Sequence, residues 1–377
     1  MTIIDDTAEL RASLADQLAE ILDSPLWQNA FRAVPRHVFA PRFAIHDPVT
    51  RTLVHHDVTD VERRDAALAA AYSDDTLLTR FSEDGTAISS STEPSLMASM
   101  LQALDAQPGH RVLEVGTGTG YNAALLCHAL GEGNVTTIDV DRHLTDTAAD
   151  ALAEAGYRPT VVCGDGAAGV AERAPFDRII ATCGVDRVPA AWLTQLAPHG
   201  AILVNISKGI VLLRRHHDGS VSGPFLSPAG FMPLRADTDP DRLAPRAIVE
   251  ATSNEADSTH TTSELPELPF AMGAFFANLI ADRSQLLFLH GHDDTVSSYR
   301  WVHPQSNSWA RVDLADDHAT VHQAGPRQLW NDMTPVLESW QAAGRPGIER
   351  YGLTVTDNGQ HTLWLDQPGQ SVMPLPA

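Results

Sequence analysis

Between residues 111 and 206, apolar runs rich in β-formers alternate with helical segments, and this alternation constrains the fold more than any other feature of the chain. The strand-like runs are "RVLEV" (111–115), "NVTTIDV" (134–140), "PTVVCGDG" (159–166), "FDRIIATC" (176–183) and "GAILVNI" (200–206). Helical patterns such as "YNAALLCHAL" separate them. Such alternation is typical of a mostly parallel sheet with helices on both faces, so we predict an α/β fold with a doubly wound sheet.

The regions on either side of this alternation differ from it in composition, and a chain of 377 residues suggests two domains. Residues 8–34 carry leucines at helical spacing, whereas residues 41–86 are polar and irregular apart from a short helical stretch. A hairpin turning at Asp218-Gly219 follows the last strand-like run. We predict an N-terminal helical and irregular segment (1–86), a core (87–235), an acidic, proline-dotted linker (236–265) and a smaller α+β domain (266–377).

The predicted C-terminal domain is rich in aromatic residues. They are Tyr299, Trp301, Trp309, Trp330, Trp340 and Trp364. Side chains of this kind could anchor a bound peptide. Ordinary core packing explains them as well, and for any single residue it is the favoured interpretation.

Charge and cysteine usage limit the partners and the compartment. The formal net charge is -22, which opposes binding to nucleic acid because such binding relies on Lys and Arg contacts to phosphates. No apolar run is long enough to predict a membrane span, and the N-terminus lacks the layout of a secretion signal. Cys127, Cys163 and Cys183 are too far apart for a zinc knuckle or a disulfide framework. We predict a cytoplasmic protein and leave its oligomeric state open.

Three groups of histidines invite a metal site, at 55–56, 216–217 and in "HGH" at 290–292. None of them has a further ligand at the spacing that helical zinc sites use. We therefore predict no metal.

The stretch "LEVGTGTG" follows the first predicted strand and opens a helix. Gly116, Gly118 and Gly120 allow a tight turn and a close approach of the backbone to a ligand. A dinucleotide fingerprint needs its third glycine three places after the second, and Tyr121 occupies that position. Glu114 would repel a pyrophosphate but would attract the ammonium group of S-adenosylmethionine. The turn therefore favours S-adenosylmethionine over a dinucleotide.

Two acids follow the next two strands. Asp139 ends the second strand, where an open α/β sheet places a carboxylate that binds ribose hydroxyls. Asp165, in "CGDG", is positioned to meet an adenine amino group. Taken singly, each acid is more simply a loop residue, and the glycines could serve only helix packing. Their occurrence in this order favours a nucleotide-type cofactor.

From about residue 8 to residue 235 the chain resembles the protein-L-isoaspartate O-methyltransferases. Seven blocks occur in the order of that family: "FRAVPRHVFAP", "AYSDDTL", "STEPSLMASML", "RVLEVGTGTGYNAALLCHAL", "VVCGDGAAGVAERAPFDRIIATCG", "VPAAWLTQLAPHGAILV" and "GSVSGPFLSPAGFMPL". The resemblance implies a Rossmann-like class I methyltransferase fold, with S-adenosylmethionine as methyl donor and S-adenosylhomocysteine as product. It implies methylation of an aspartyl or isoaspartyl carboxylate in a peptide or protein. The cofactor residues that we expect are Glu114, Gly116, Thr117, Gly118, Gly120, Tyr121, Asn122, Asp139, Val140, Gly164, Asp165 and Gly166.

Four consecutive hydroxyl residues, Ser89 to Thr92, precede Glu93 and Pro94. In the family a hydroxyl two residues before this proline contacts the substrate carboxylate; the usual residue is serine, and here it is Thr92. The resemblance thus implies that Thr92 and Ser91 are catalytic and that Ser89, Ser90 and Pro94 contact the substrate. The alternative is a helix N-cap with spare polar neighbours, and both could hold at once.

The expected reaction requires these hydroxyls to orient the substrate and not to remove a proton. A carboxylate with a pKa of about 4 is ionised at neutral pH, so its attack on an activated methyl group needs no general base. It needs a carboxylate oxygen held about 3 Å from the methyl carbon and in line with sulfur. We therefore interpret the hydroxyl run as a loop that positions a carboxylate.

The leading hypothesis for the substrate is a specific aspartate in a macrocyclised, ribosomally made precursor peptide. Residues 236–377 extend beyond the usual end of the repair enzymes, and chains of this layout resemble methyltransferases of graspetide and lanthipeptide pathways. There the backbone nitrogen displaces methoxide from the ester to form an aspartimide, which can hydrolyse to isoaspartate. The alternatives are repair of isoaspartyl proteins and a non-catalytic peptide-binding protein. A nucleic-acid methyltransferase is disfavoured because "IIATCGV" lacks an Asn/Asp-Pro-Pro-aromatic motif.

Overall fold

The computed structural model describes residues 7–47, 49–50, 52–83, 85–235, 243–262, 268–291, 295–315 and 317–375. The chain divides into two compact units. Unit 1 comprises 1–183, 189–204 and 232–237, and unit 2 comprises 184–188, 205–231 and 238–377. The division differs from the predicted boundary at 235, because the chain leaves unit 1 twice before that point.

Among the described residues, unit 1 contains eight α-helices and nine strands. The last residues of strands β8 and β9 belong to unit 2. The helices are α1 (Ala8–Gln17), α2 (Pro25–Ala33), α3 (Arg36–Phe39), α4 (Arg64–Ala71), α5 (Pro94–Leu104), α6 (Tyr121–Leu130), α7 (Arg142–Glu154) and α8 (Ala190–Gln195). The strands are β1 (Arg42–His46), β2 (Leu53–Asp57), β3 (Leu77–Phe81), β4 (Ala87–Ser91), β5 (Val112–Val115), β6 (Val135–Asp139), β7 (Thr160–Cys163), β8 (Phe176–Val185) and β9 (Leu196–Ile206).

Local sequence explains where the N-terminal helices begin and what they bury. Helix α2 begins at Pro25, whose missing N–H costs nothing in the first turn. Its buried residues are Trp27, Ala30 and Phe31, which share one face at helical spacing. The Phe31 ring meets that of Tyr121 in α6 edge-on, with centroids 6.4 Å apart. The N-terminal helices thus pack on the helix that follows the glycine-rich turn.

A four-stranded antiparallel sheet, in the order β2-β1-β3-β4, occupies the stretch that we expected to be irregular. Its strands are five residues long and mix polar with apolar side chains, so their alternation is too short to read. The run Ser89–Ser91 belongs to its strand β4. Three of the four hydroxyl residues therefore lie on a strand of this sheet, and Thr92 directly follows it.

The predicted α/β sheet is confirmed. In unit 1 the strand order is β9-β8-β5-β6-β7, and β5 pairs in parallel with both β6 and β8. Helices α6 and α7 connect β5 to β6 and β6 to β7. The chain then crosses to the other side of β5 to form β8. The carboxyl end of β5 is therefore the point where the strand order reverses, which is where open α/β sheets bind ligands.

Unit 2 contains two antiparallel groups of strands, β19-β18-β17-β11-β10 and the five-stranded sheet β12-β16-β15-β14-β13. The strands are β10 (Gly209–Arg215), β11 (Val221–Pro228), β12 (Ser258–Thr262), β13 (Gln285–His290), β14 (Val296–His303), β15 (Ser308–Leu314), β16 (Ala319–Ala324), β17 (Tyr351–Val355), β18 (His361–Leu365) and β19 (Ser371–Pro374). The helices are α9 (Pro245–Ala251), α10 (Phe270–Ile280) and α11 (Leu329–Ala342). The hairpin at 209–228 lies where we predicted it, and a second hairpin spans 351–365.

The stretch predicted as a linker differs from the structure in residues 243–262, which form α9 and β12; residues 236–242 and 263–265 lie outside the described residues. Strand β12 pairs with β16 at one edge of the five-stranded sheet. The carbonyl oxygen of Thr252, at the end of α9, accepts from Arg300 at 3.5 Å and from Arg311 at 3.2 Å. Ile248 also joins a core cluster with Val302 and Trp309, so the acidic, proline-dotted composition hid a segment that packs on the sheet.

The aromatic residues of unit 2 are core residues. Tyr299 and the five tryptophans are between 2% and 7% exposed. Trp340 and Trp364 satisfy their indole N–H groups internally, on the Pro346 carbonyl and the Thr354 hydroxyl. Their burial does not fit the alternative of an open peptide-binding groove.

No helix in the described part of the chain is long and apolar enough to cross a membrane. Cys127 and Cys183 are buried thiols and Cys163 is half-buried. The cytoplasmic location stays a prediction.

Candidate cofactor and substrate site

The glycine-rich turn has backbone conformations and close contacts that only glycine tolerates. Gly116 has φ +94°, and a Cβ there would lie 2.9 Å from the hydroxyl oxygen of Thr182. That hydroxyl donates to the Gly116 carbonyl at 2.7 Å. Gly120 has φ +88° and opens α6, with room for only hydrogen between it and Ala148. The turn therefore presents bare backbone at the switch point of the sheet.

Asp139 is tied to this turn. Its Oδ2 accepts the backbone N–H of Gly118 at 3.0 Å, and its Oδ1 accepts that of Asp141 at 3.1 Å. The side chain is half-buried at the end of β6, and its binding of a ribose stays a prediction. The same carboxylate can thus hold the turn and face a ligand.

The loop after β7 lies beside these groups. The Gly164 N–H donates to the Asp139 carbonyl at 2.9 Å, and the Cys163 thiol lies 3.7 Å from the Val140 carbonyl. Asp165 is exposed, and its Oδ1 accepts the Ala167 N–H at 2.9 Å.

Gly166 is buried against the end of β5. A Cβ there would lie 2.6 Å from Cγ1 of Val115, and its carbonyl accepts the indole N–H of Trp192 at 2.8 Å. Only glycine lets the chain after β7 pass so close to β5. The structure thus brings the predicted residues 139, 140 and 164–166 to one edge of the sheet.

Glu114 lies beneath the turn and exposes none of its surface. Its oxygens accept from Asn122 Nδ2 at 2.8 Å and from Thr137 Oγ1 at 2.6 Å. The Thr117 and Thr137 hydroxyl oxygens are 2.7 Å apart. Burial raises the pKa of Glu114 to about 7. Glu114, Asn122 and Thr117 therefore support the turn from inside, and a contact between Glu114 and a cofactor ammonium stays a prediction.

Tyr121 was predicted at the cofactor, but its side chain lies among the N-terminal helices. It is 4% exposed, and its ring packs 6.4 Å from that of Phe31 and 5.9 Å from that of Phe39. The sequence around the third glycine does not indicate this packing, because Phe31 and Phe39 come from a distant segment of the chain. Tyr121 acts here as a packing residue.

The hydroxyl run reaches the glycine turn. A Cβ added to Gly118 would lie 3.6 Å from the Ser90 carbonyl oxygen, so β4 passes within van der Waals reach of the turn. Ser89 and Ser91 are 4% exposed, whereas Ser90 and Thr92 are half-buried. The Thr79 hydroxyl donates to that of Ser89 at 3.3 Å. The strand alternation thus separates two inward hydroxyls from two partly accessible ones. Ser91, which we predicted to be catalytic, is one of the inward hydroxyls, whereas Ser90, which we predicted to contact the substrate, is partly accessible.

The alternative that Thr92 caps the following helix is wrong. The N-cap residue of α5 is Glu93, and its side chain makes no capping hydrogen bond to the helix. Pro94 is the first residue of α5 and is buried. The Ser95 N–H donates instead to Oδ1 of Asp74 at 2.8 Å. Because Asp74 satisfies this N–H, the Thr92 hydroxyl is not needed to cap α5.

Three arginines near the site were missed by sequence reasoning. Arg80 Nη1 lies 2.5 Å and Arg235 Nη2 lies 3.8 Å from Oδ2 of Asp141, next to Asp139. Arg36, in "AVPRHVFAP", is buried behind the hydroxyl run and bonds to the Thr92 carbonyl at 3.0 Å. No local pattern marks such contacts, since Arg36 reaches backbone atoms far along the chain.

Metal-ligating side chains do not converge in the described part of the chain: no group of three His, Cys, Asp or Glu residues there could hold an ion. His292 of the "HGH" stretch lies outside the described residues.

The family model for "Protein-L-isoaspartate(D-aspartate) O-methyltransferase (PCMT)" matches residues 13–239. A protein-L-isoaspartate O-methyltransferase of Thermotoga maritima is 34% identical over 168 residues, which is 44% of this chain and 52% of the relative. Protein-L-isoaspartate O-methyltransferase 2 of Archaeoglobus fulgidus is 29% identical over 238 residues, 62% of this chain and 95% of the relative. The match thus spans about half the length of the Thermotoga maritima protein.

A solved structure named protein-L-isoaspartate O-methyltransferase superposes with a TM-score of 0.56 at 24% identity. The match covers 95% of this chain and 100% of that chain, and at this identity it shows the fold alone. Since so little of this chain is left out, the likeness extends over most of residues 236–377. The C-terminal region therefore has a structural counterpart in the protein of that name.

Proposed function

This chain belongs to the protein-L-isoaspartate(D-aspartate) O-methyltransferase family, and from this premise we propose that it transfers a methyl group from S-adenosylmethionine to an isoaspartyl or aspartyl carboxylate in a peptide or protein. One observation carries the proposal. The hydroxyl strand β4 and the glycine turn meet at the switch point of the sheet, with the Ser90 carbonyl 3.6 Å from a Cβ placed on Gly118.

The residues at the sheet edge fit the proposed methyl donor. Gly118 presents bare backbone at the turn, where an added Cβ would meet only the Ser90 carbonyl at 3.6 Å, and Asp139 offers carboxylate oxygens beside it. Asp165 is exposed after β7, on the side expected for an adenine. S-adenosylmethionine supplies a methyl group made electrophilic by the adjacent sulfonium. Gly116 to Gly120, Asp139 and Asp165 would hold it.

The protein's own part in the reaction is orientation. The substrate carboxylate is ionised at neutral pH, so no side chain needs to remove a proton. The half-buried Thr92 and Ser90 can donate hydroxyl hydrogens to one carboxylate oxygen and leave the other facing the methyl group. Neutral donors hold the carboxylate without the strong ion pair that would weaken it as a nucleophile. Correct placement alone can supply much of the rate acceleration.

We propose isoaspartyl residues as the substrate in preference to an aspartate of a macrocyclised precursor peptide. The precursor hypothesis rested on residues 236–377 being foreign to repair enzymes, and that region has a counterpart in the solved structure of that name. The curated relatives in Thermotoga maritima and Archaeoglobus fulgidus carry the same name. These observations support isoaspartate.

Three matched peptides test the proposal by mass spectrometry with S-adenosylmethionine: one linear with isoaspartate, one linear with aspartate, and one macrocyclised with aspartate. We expect methyl ester and then succinimide from the isoaspartyl peptide. Turnover of the macrocycle alone would restore the precursor hypothesis. No turnover of any peptide, together with no S-adenosylhomocysteine binding by calorimetry, would leave the non-catalytic peptide-binding alternative.

A further inference from the structure

Arg36 is a fully buried arginine that bonds to backbone rather than to a carboxylate. It is 0% exposed and opens α3. Its guanidinium donates to five carbonyl oxygens: those of Ala71 (3.1 Å), Ser73 (2.9 Å), Asp75 (2.9 Å), Ser91 (3.5 Å) and Thr92 (3.0 Å). Within the described residues, no carboxylate lies at ion-pair distance from it. One side chain thus joins segment 71–75 to the hydroxyl run.

Burying an arginine costs free energy, so the position of Arg36 requires a physical explanation. An isolated charge in a protein interior is strongly unfavourable unless hydrogen bonds compensate for it. Burial lowers the pKa of Arg36 to about 10, which still leaves the group charged at neutral pH. The Tyr121 ring covers it at 5.8 Å from the ring centroid. The Nη1 and Nη2 groups of Arg36 reach carbonyls from two segments at once, whereas Nε has no hydrogen-bond partner. A lysine has three N–H groups on a single nitrogen and cannot reproduce this planar arrangement.

Two of the five carbonyls flank a single residue. The Ser91 oxygen belongs to the peptide plane before the Thr92 Cα, and the Thr92 oxygen belongs to the plane after it. Fixing both planes fixes φ and ψ of Thr92, and therefore the direction of its Cα–Cβ bond.

We propose that Arg36 is a positioning residue for methyl transfer: it holds the two peptide planes around Thr92 and so aims the Thr92 hydroxyl at the substrate carboxylate. This inference rests on the proposed function. Arg36 does not touch the substrate, and its effect passes through the backbone of the hydroxyl run.

Arg178 is a matched control. It is 8% exposed and also donates to three backbone carbonyls: those of Leu104 (2.8 Å), Asp105 (3.0 Å) and Asp177 (2.9 Å). It lies near the start of β8, opposite Val112 at the start of β5, whereas the site lies at the carboxyl ends of these strands. Its loss should therefore destabilise unit 1 without moving Thr92.

The experiment compares Arg36→Lys, Arg36→Gln and Arg178→Gln with the unaltered chain. The measurements are thermal midpoint, S-adenosylhomocysteine affinity, kcat and KM on the isoaspartyl peptide, and amide hydrogen exchange in residues 89–95. Both Arg36 variants should lose about 10²-fold in kcat through misplacement of the hydroxyl, with S-adenosylhomocysteine affinity changed by less than about threefold. Exchange in 89–95 should accelerate. Arg178→Gln should lower the thermal midpoint similarly while keeping kcat and the exchange pattern.

An equal loss of kcat in Arg178→Gln, or unchanged exchange in 89–95 in the Arg36 variants, would overturn the inference. Exchange is read out without substrate, so it tests the role of Arg36 even for a chain that methylates none of the peptides. Failure of the proposed function would appear separately, as absence of turnover by the unaltered chain.

Discussion

Gly118 donates its backbone N–H to Oδ2 of Asp139 at 3.0 Å, and this bond joins the glycine turn after β5 to the acid that ends β6. The acid predicted to bind a ribose therefore also holds the turn predicted to face the methyl donor. Removal of the Asp139 carboxylate would therefore weaken both the glycine turn and the predicted contact with the ribose.

We expect Asp139→Ala to weaken S-adenosylhomocysteine binding about 10- to 100-fold in calorimetry, since hydrogen bonds to a charged group contribute about 1.5–3 kcal/mol. Asp139→Asn keeps one acceptor and should lose less. Asp177→Ala is the control, because that carboxylate also accepts a backbone N–H, from Arg111 at 2.8 Å, but near the starts of β5 and β8. Equal losses in Asp139→Ala and Asp177→Ala would contradict a role at the ligand.

Alanine substitutions at Gly116 and Gly156 distinguish the effect of backbone strain from the effect of a steric clash. Both have positive φ, but a Cβ on Gly156 has no atom within 4 Å, whereas one on Gly116 meets the Thr182 hydroxyl at 2.9 Å. Gly156→Ala should cost about 1–2 kcal/mol in the free energy of unfolding and leave ligand affinity intact. Gly116→Ala should cost more and should also weaken S-adenosylhomocysteine binding. Urea unfolding and calorimetry check both, and unchanged binding in Gly116→Ala would place the ligand elsewhere.

Thr92 can be altered without changing its shape. Thr92→Val removes the hydroxyl and keeps the volume, so kcat/KM for the isoaspartyl peptide should fall about 10- to 100-fold, the worth of a hydrogen bond to a charged group. Thr92→Ser keeps the hydroxyl and should retain activity within a few-fold. Steady-state kinetics with both variants decide the point. Full activity of Thr92→Val would move the role to Ser90 or Ser91.

The raised pKa of Glu114 predicts that the free energy of unfolding depends on pH. Its pKa rises from 4.5 to about 7 in the folded chain, because burial disfavours the charged carboxylate. Between these values the folded state keeps a proton that the unfolded state has released, so the contribution of Glu114 to the free energy of unfolding falls as the pH rises through this window, by roughly 3 kcal/mol in total. Glu114→Gln should remove this dependence. Urea unfolding of both proteins at pH 5 and pH 8 measures it, and a pH-independent difference would contradict it.

The lowered pKa of His361 predicts a pH dependence of the opposite sign, in which the free energy of unfolding falls as the pH falls. Burial lowers its pKa from 6.5 to about 4. Its Nδ1 donates to the Gly359 carbonyl and its Nε2 accepts the Val188 N–H, both at 2.9 Å, so the ring must be neutral. This stabilisation is complete above pH 6.5 and is lost as the pH falls toward about 4, by roughly 3 kcal/mol. His361→Gln should flatten the pH dependence of urea unfolding on the acid side. An equally steep acid loss in that variant would exclude His361 as its source.

The sequence predicts the parallel sheet and the groups at its edge, because both have local signals. Buried parallel strands form continuous apolar runs, and a tight turn requires glycines at fixed places. Asp139 could be placed for the same reason, since it ends such a run. The strands β1 to β4 have no comparable signal, because each is only five residues long and mixes polar with apolar side chains.

The arginine behind the hydroxyl run could not be found in this way. Arg36 bonds to carbonyls that lie 35 to 56 residues further along the chain, and every residue type has a carbonyl. Tyr121 was misplaced for a related reason, because the aromatic rings that enclose it come from α2 and α3. Side chains whose partners are distant or are backbone atoms leave no pattern to read.

The two compact units cannot be separated by a single cut. Strand β11 pairs with β17 through Val221↔Val355 and Pro224↔Gly352, so a chain shortened at residue 235 would keep β11 and lose its neighbour. The unpaired edge would carry free N–H and C=O groups that invite self-association. The C-terminal part is therefore not a detachable module, and a fragment of this chain that retains β11 needs residues 351–355 to pair with it.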